Sequence, residues 1–136
     1  MNNRFLTLFL LLTVILLGGC KEEVSSKGKD VRINFDTEES LIVQELSNEN
    51  AGEYQQIKEI TDKEKVDTFF NILSNARWED SLGKSSYPDF MINSKYSIWT
   101  LTPNNNLRVQ INNLDKNTFL SESDSKTIYK LLFNEN

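Results

Sequence analysis

The chain has 136 residues, 15 basic and 20 acidic, for a formal net charge of −5, with one cysteine and no histidine. The missing histidine excludes Ser-His-Asp and Cys-His nucleophilic sites and histidine-ligated zinc, and a lone cysteine excludes an internal disulfide. An acidic chain without a basic stripe is repelled by phosphate backbones, so nucleic acid is not an expected partner.

The chain opens on Met1-Asn2-Asn3-Arg4, a short positive segment, followed by an apolar run from Phe5 to Leu17 broken only by Thr7 and Thr13. As a helix the run would be about 20 Å long, short of a hydrocarbon core of about 30 Å. That length fits the apolar region of a signal peptide. The run ends in Leu17-Gly18-Gly19-Cys20, which resembles the bacterial lipobox: an aliphatic residue, two small residues and a cysteine. The resemblance implies that the Cys20 thiol receives a diacylglycerol and that a signal peptidase recognising Leu17, Gly18 and Gly19 cuts just before it. Two or three acyl chains supply the multiple insertion that stable anchoring requires. Residues 1–19 are therefore expected to be a lipoprotein signal peptide. Residues 20–30 would be the lipidated cysteine and a flexible tether, and residues 31–136 a single α+β domain at the extracytoplasmic face of the cell membrane.

Lys21 to Asp30 is polar and charged, and fully extended it reaches about 35 Å. Val31-Arg32-Ile33-Asn34-Phe35 alternates apolar and polar, as a half-buried strand does. Leu41 to Leu46 predicts a second strand, and Tyr54 to Ile60 is read as extended. A helix is expected from Thr61-Asp62-Lys63-Glu64, a capping box with Thr61 as the cap. Val66, Phe69, Phe70, Leu73 and Ala76 then form one apolar stripe. Asp62, Glu64 and Asp67 read as caps and a solvated face, not as a metal cluster.

Beyond the helix, Arg77 to Asp80 leads into a polar loop over 81–86, and Tyr87-Pro88-Asp89-Phe90 opens a short strand through Ile92. Tyr96 to Ile111 predicts a hairpin turning at Pro103-Asn104-Asn105-Asn106, since asparagine tolerates the left-handed backbone. Phe119-Leu120 is a last short strand. Ser121-Glu122-Ser123-Asp124 starts a terminal helix carrying Ile128, Leu131 and Leu132. The expected fold is α+β: a small antiparallel sheet with two helices packed on one face.

Over residues 60–133 the chain also resembles small Gram-positive lipoproteins of the YhfM-like kind. The carriers are Ile60-Thr61-Asp62, Ala76-Arg77-Trp78, Tyr87-Pro88-Asp89-Phe90 and Tyr96-Ser97-Ile98-Trp99. The resemblance implies the fold and the location, and it carries no activity.

Aromatic side chains dominate binding hot spots, so Trp78, Tyr87 and Trp99, with Asp89 and Arg108, are the candidate binding surface. Tryptophans of small domains also serve as core residues, and both readings stay open. Glu79, Asp80 and Asp89 flank one loop and form the only carboxylate grouping worth weighing for glycoside hydrolysis. Lys84-Ser85-Ser86 places a serine near a lysine without making a dyad. No catalytic residue, metal or cofactor is expected. The leading reading is a non-enzymatic binding or accessory domain contacting an envelope protein. A small-ligand or glycan receptor is the alternative, and a cell-wall hydrolase ranks third.

Overall fold

The structure is a computed structural model that describes residues 31, 33–35, 38–81, 83 and 86–134. The expected signal peptide, Cys20, the tether and the Lys84-Ser85 pair lie outside the described residues.

Among the described residues, seven strands form one antiparallel sheet, and two helices complete an α+β fold. In chain order these are β1 (Leu41–Asn48), β2 (Glu53–Ile60), α1 (Lys63–Asn75), β3 (Glu79–Asp80), β4 (Phe90–Ile92), β5 (Tyr96–Leu101), β6 (Asn106–Ile111), β7 (Lys116–Phe119) and α2 (Glu122–Phe133). The strand order is β2-β1-β4-β5-β6-β7-β3. No helix among the described residues is long and apolar enough to cross a membrane.

Two consecutive left-handed residues, Asn93 (φ 51°) and Ser94 (φ 53°), turn β4 into β5, and Lys95 N donates to Ile92 O across the turn at 3.0 Å. The same Asn93 ties the start of β1. Its Oδ1 accepts from Ile42 N at 2.6 Å, and its Nδ2 donates to Ser40 O at 3.0 Å and to a Glu38 carboxylate oxygen. Glu38 also pairs with Lys95 at 2.7 Å. The chain preceding β1 is thus fastened to this end of the sheet.

Both sheet edges are blunted. On the β2 edge the pairing with β1 shifts register twice, and Lys58 and Glu59 add charge. β3, at the other edge, has two residues. Bulges, charges and very short strands are the usual means by which an edge avoids pairing with another chain.

One buried cluster joins Leu41 and Val43 of β1, Tyr96 and Ile98 of β5, and Leu107 and Val109 of β6 to both helices. α1 contributes Val66, Phe69, Phe70 and Leu73, and α2 contributes Ile128, Leu131 and Leu132. The stripe expected from 3.6-residue spacing is the one that is buried.

Three expectations are corrected. The segment 31–35 is not a strand: its described residues have no ladder partner. Phe35 instead lies against Phe70, Trp78 and Tyr96, with ring centroids 5.8–6.2 Å apart. Alternation says which side of a segment is buried; it does not supply a neighbouring strand. The cap of α1 is Asp62, whose Oδ1 accepts from Lys65 N at 3.1 Å, not Thr61. Thr61 and Asp62 are both competent caps; Asp62 has the extended backbone of a cap (φ −64°, ψ 115°), so the helix starts one residue later. Glu79-Asp80, expected to lead into the loop, pairs with β7. The cap of α2, Ser121, agrees with the pattern, its Oγ accepting from Asp124 N at 3.1 Å.

Replacing Asp62 with alanine is expected to lower stability by about 1 kcal/mol in urea unfolding, the usual worth of a cap. Thr61→Ala should change it by less than about 0.5 kcal/mol. Equal losses would return the cap to Thr61.

Candidate functional site

β4 is three residues long, yet it lies between two strands that continue past it. Phe90 pairs with Glu45 of β1 and with Ile98 of β5, while β1 runs on to Asn48 and β5 to Leu101. The sheet is therefore split at this end. Pro88 accounts for the shortness of β4, since it has no N–H for the ladder.

Asp89 bridges the split. Its carbonyl oxygen accepts from Leu46 N of β1 at 3.1 Å, and its carboxylate accepts from Thr100 N of β5 at 2.6 Å. One residue thereby satisfies backbone donors of both diverging strands, as a longer β4 would. The residues before it cross to the β1–β2 hairpin. Pro88 O accepts from the Tyr54 hydroxyl at 2.6 Å, and the Tyr87 ring lies over Gly52, where an added Cβ would stand 2.4 Å from the ring. Gly52 has φ +64°, so this position requires glycine for both backbone and space. Burial raises the Tyr54 hydroxyl above its ordinary pKa, with smaller contributions from the neighbouring Asp89 and Tyr87.

Two open grooves flank this bridge and meet at Leu46, Glu49, Asp89 and Thr100. The first, about 790 Å³, extends along Ser86, Tyr87, Trp99 and Arg108. The second, about 740 Å³, extends along Phe90, Asn106, Glu122 and Tyr129.

Of the five residues named from sequence, four line the first groove: Tyr87, Asp89, Trp99 and Arg108. Trp78 does not join them. It is 3 % exposed, and its Nε1 donates to Leu73 O at 2.9 Å, closing the end of α1 from inside the core. This corrects the sequence-based grouping of both tryptophans. An aromatic just past a helix end gives a last-turn carbonyl a second donor, beside Ala76 N at 3.3 Å, while filling the core.

Trp99 sits on the sheet face opposite Ile98 but is 6 % exposed. The Arg108 guanidinium covers its ring at 4.8 Å from the centroid, and its Nε1 donates to Ser86 O at 3.3 Å. Arg108 is committed as well: Nε donates to Asn117 Oδ1 at 3.2 Å and Nη2 to Gly83 O at 3.2 Å. These two side chains fasten the 81–88 loop to the sheet. The exposed aromatic ring of the first groove is Tyr87, at 52 %.

The three loop carboxylates do not converge. Asp89 precedes β4, whereas Glu79 and Asp80 form β3, four strand positions away. At about 4.8 Å per strand that is about 19 Å, roughly twice the span of an inverting glycosidase pair. Asp80 pairs with Lys116. Among the described residues no cluster of three or more acidic, histidine or cysteine side chains is placed to hold a metal. Asp62 caps α1, and Asp67 pairs with Lys63 at 2.5 Å.

Sequence reasoning missed Leu46, Glu49, Asn106 and Tyr129. Only Tyr129 carried a signal: it is a large aromatic outside the buried stripe of α2, and it is 49 % exposed. The others are brought together by strand pairing alone. No protein-family model, curated protein or solved structure matches the chain.

Asp89→Ala should destabilise the fold by about 1.5–3 kcal/mol, the worth of a hydrogen bond to a charged acceptor. Asp89→Asn, which keeps an acceptor, should cost less; equal costs in denaturant titration would remove the bridging role. For Tyr54, a raised folded-state pKa favours the neutral phenol. Its contribution is complete below the ordinary value near 10 and is lost as pH rises through the folded value. The stability difference between wild type and Tyr54→Phe is therefore expected to shrink above about pH 10. A difference that stays constant through pH 11 would contradict it.

Proposed function

We propose that this protein is a lipoprotein anchored through Cys20 at the extracytoplasmic face of a cell membrane. Its α+β domain is a non-enzymatic binding or accessory module that contacts an envelope protein. Both helices cover one sheet face, a reading supported by Phe69 packing on Tyr96 and by Ser125 Oγ accepting from Leu107 N at 2.9 Å.

The observation that favours a protein partner is the form of the grooves. Small-molecule sites enclose most of their ligand, whereas both grooves here are open clefts at the surface. Trp99, covered by Arg108, offers no bare ring for a sugar to stack on.

A second reading, a small-ligand or glycan receptor, is favoured by the exposed Tyr87 ring alone.

Crosslinking and pull-down from intact cells should enrich one envelope protein with the native chain and not with Cys20→Ala. Loss of that enrichment with Tyr87→Ala would place the contact at the grooves. No enrichment with either form, together with thermal stabilisation by cell-wall glycans that Tyr87→Ala removes, would select the receptor reading instead.

A further inference from the structure

The second groove has a distinctive chemistry. Leu46, Phe90 and Tyr129 give it an apolar wall, and the Tyr129 ring continues into the core through Phe133, 4.8 Å away, and Phe90, 4.5 Å beyond that. Its rim carries more carboxylates than cations. Glu45, Glu49, Asp89 and Glu122 all line it. Glu122 is held by Lys126 at 2.5 Å, and its pKa is lowered, first by that hydrogen bond and then by the lysine charge. One Asp89 oxygen is held by Thr100 N. Glu45 and Glu49 have no cationic partner among the described residues.

Asn106 adds an independent observation. Its Oδ1 is withdrawn from solvent and has no hydrogen-bond donor, alone in this respect among the buried side-chain atoms of the described residues. An unpaired buried acceptor raises the free energy of the fold until something donates to it. The apolar wall of the groove suits an aliphatic stem. Lys130 is the one lining cation without an ion-pair partner in the described set. Three carboxylates outside the Glu122–Lys126 pair outnumber it.

We propose that the groove between the β1–β2 hairpin and the first turns of α2 docks a lysine- or arginine-bearing segment of the protein partner. The methylene stem lies along Leu46, Phe90 and Tyr129, and the cation reaches Glu45 and Glu49. Long cationic side chains bury their stems on apolar surface while the charged head stays at a polar rim, and the half-exposed Tyr129 ring adds cation–π attraction. This inference rests on the reading of the protein as a binding domain and names the chemistry of its partner.

The test uses the full-length chain in nonionic detergent with acetyl-tetralysine-amide as the probe and acetyl-tetraglutamate-amide as its opposite. Carbodiimide, which joins a carboxylate to an amine only at direct contact, should couple the lysine probe chiefly to Glu45 and Glu49. Glu45→Gln with Glu49→Gln should weaken binding about fivefold, whereas Glu64→Gln with Asp67→Asn on α1 should change it less than twofold. Tyr129→Ser should weaken it without altering the charge.

Coupling spread over surface carboxylates in proportion to their exposure would overturn the proposal. So would unchanged affinity in the Glu45/Glu49 double variant, or equal binding of tetraglutamate. If the double variant still retains the envelope protein in pull-down, the cationic segment is refuted while the binding-domain reading stands. Absence of any envelope partner in pull-down refutes that reading itself.

Discussion

The hydrogen bonds that Asp89 accepts from backbone donors of β1 and β5 close the sheet where β4 stops short. β1 and β5 flank a strand three residues long, and each continues beyond it with donors directed into the gap. A longer β4 would satisfy them, but Pro88 lacks the N–H needed to extend it. Asp89 answers one strand with its carbonyl and the other with its carboxylate. Because backbone donors buried without partners are costly, this residue is at once the end of β4 and a substitute for the part of it that is missing.

The grooves follow from that substitution. Closing a gap with one residue in place of a strand leaves empty space on either side, and the neighbouring segments line it. Tyr87 is carried onto Gly52 of the β1–β2 hairpin, and Tyr54 reaches back to Pro88. On the other flank, Phe90 extends the aromatic chain of Phe133 and Tyr129 to the groove wall. Stability and surface shape therefore share residues here, which is why Asp89 and Gly52 are poor reporters of binding and Glu45, Glu49 and Tyr129 are better ones.

Trp99 and Arg108 show how residue type alone misleads about use. A tryptophan beside an arginine on a strand face has the composition of a recognition surface. In this fold both are spent internally: the cation covers the ring, and each donates to a carbonyl of the 81–88 loop. The exposed aromatics that line the grooves are Tyr87 and Tyr129, about half exposed each. Of these, Tyr87 stands out in the sequence by its aromatic type, and Tyr129 only by its place off the helix stripe.

Local patterns carried most of the elements, because helix spacing, capping side chains and turn asparagines act within a few residues. The stripe from Val66 to Leu73, the Ser121 cap and the hairpin from Tyr96 to Ile111 are all legible that way. The resemblance of Leu17-Gly18-Gly19-Cys20 to a lipobox likewise rests on contiguous residues, and the missing histidine bounds the chemistry from composition alone. What local patterns do not contain is pairing at a distance. Glu79-Asp80 beside β7, Phe35 against the core rather than in a ladder, and Trp78 closing the end of α1 each depend on what arrives from elsewhere in the chain. The same holds for the grooves. Leu46, Asp89, Asn106 and Tyr129 are scattered over more than eighty residues, and they become neighbours only when β4 stops short between two strands that do not.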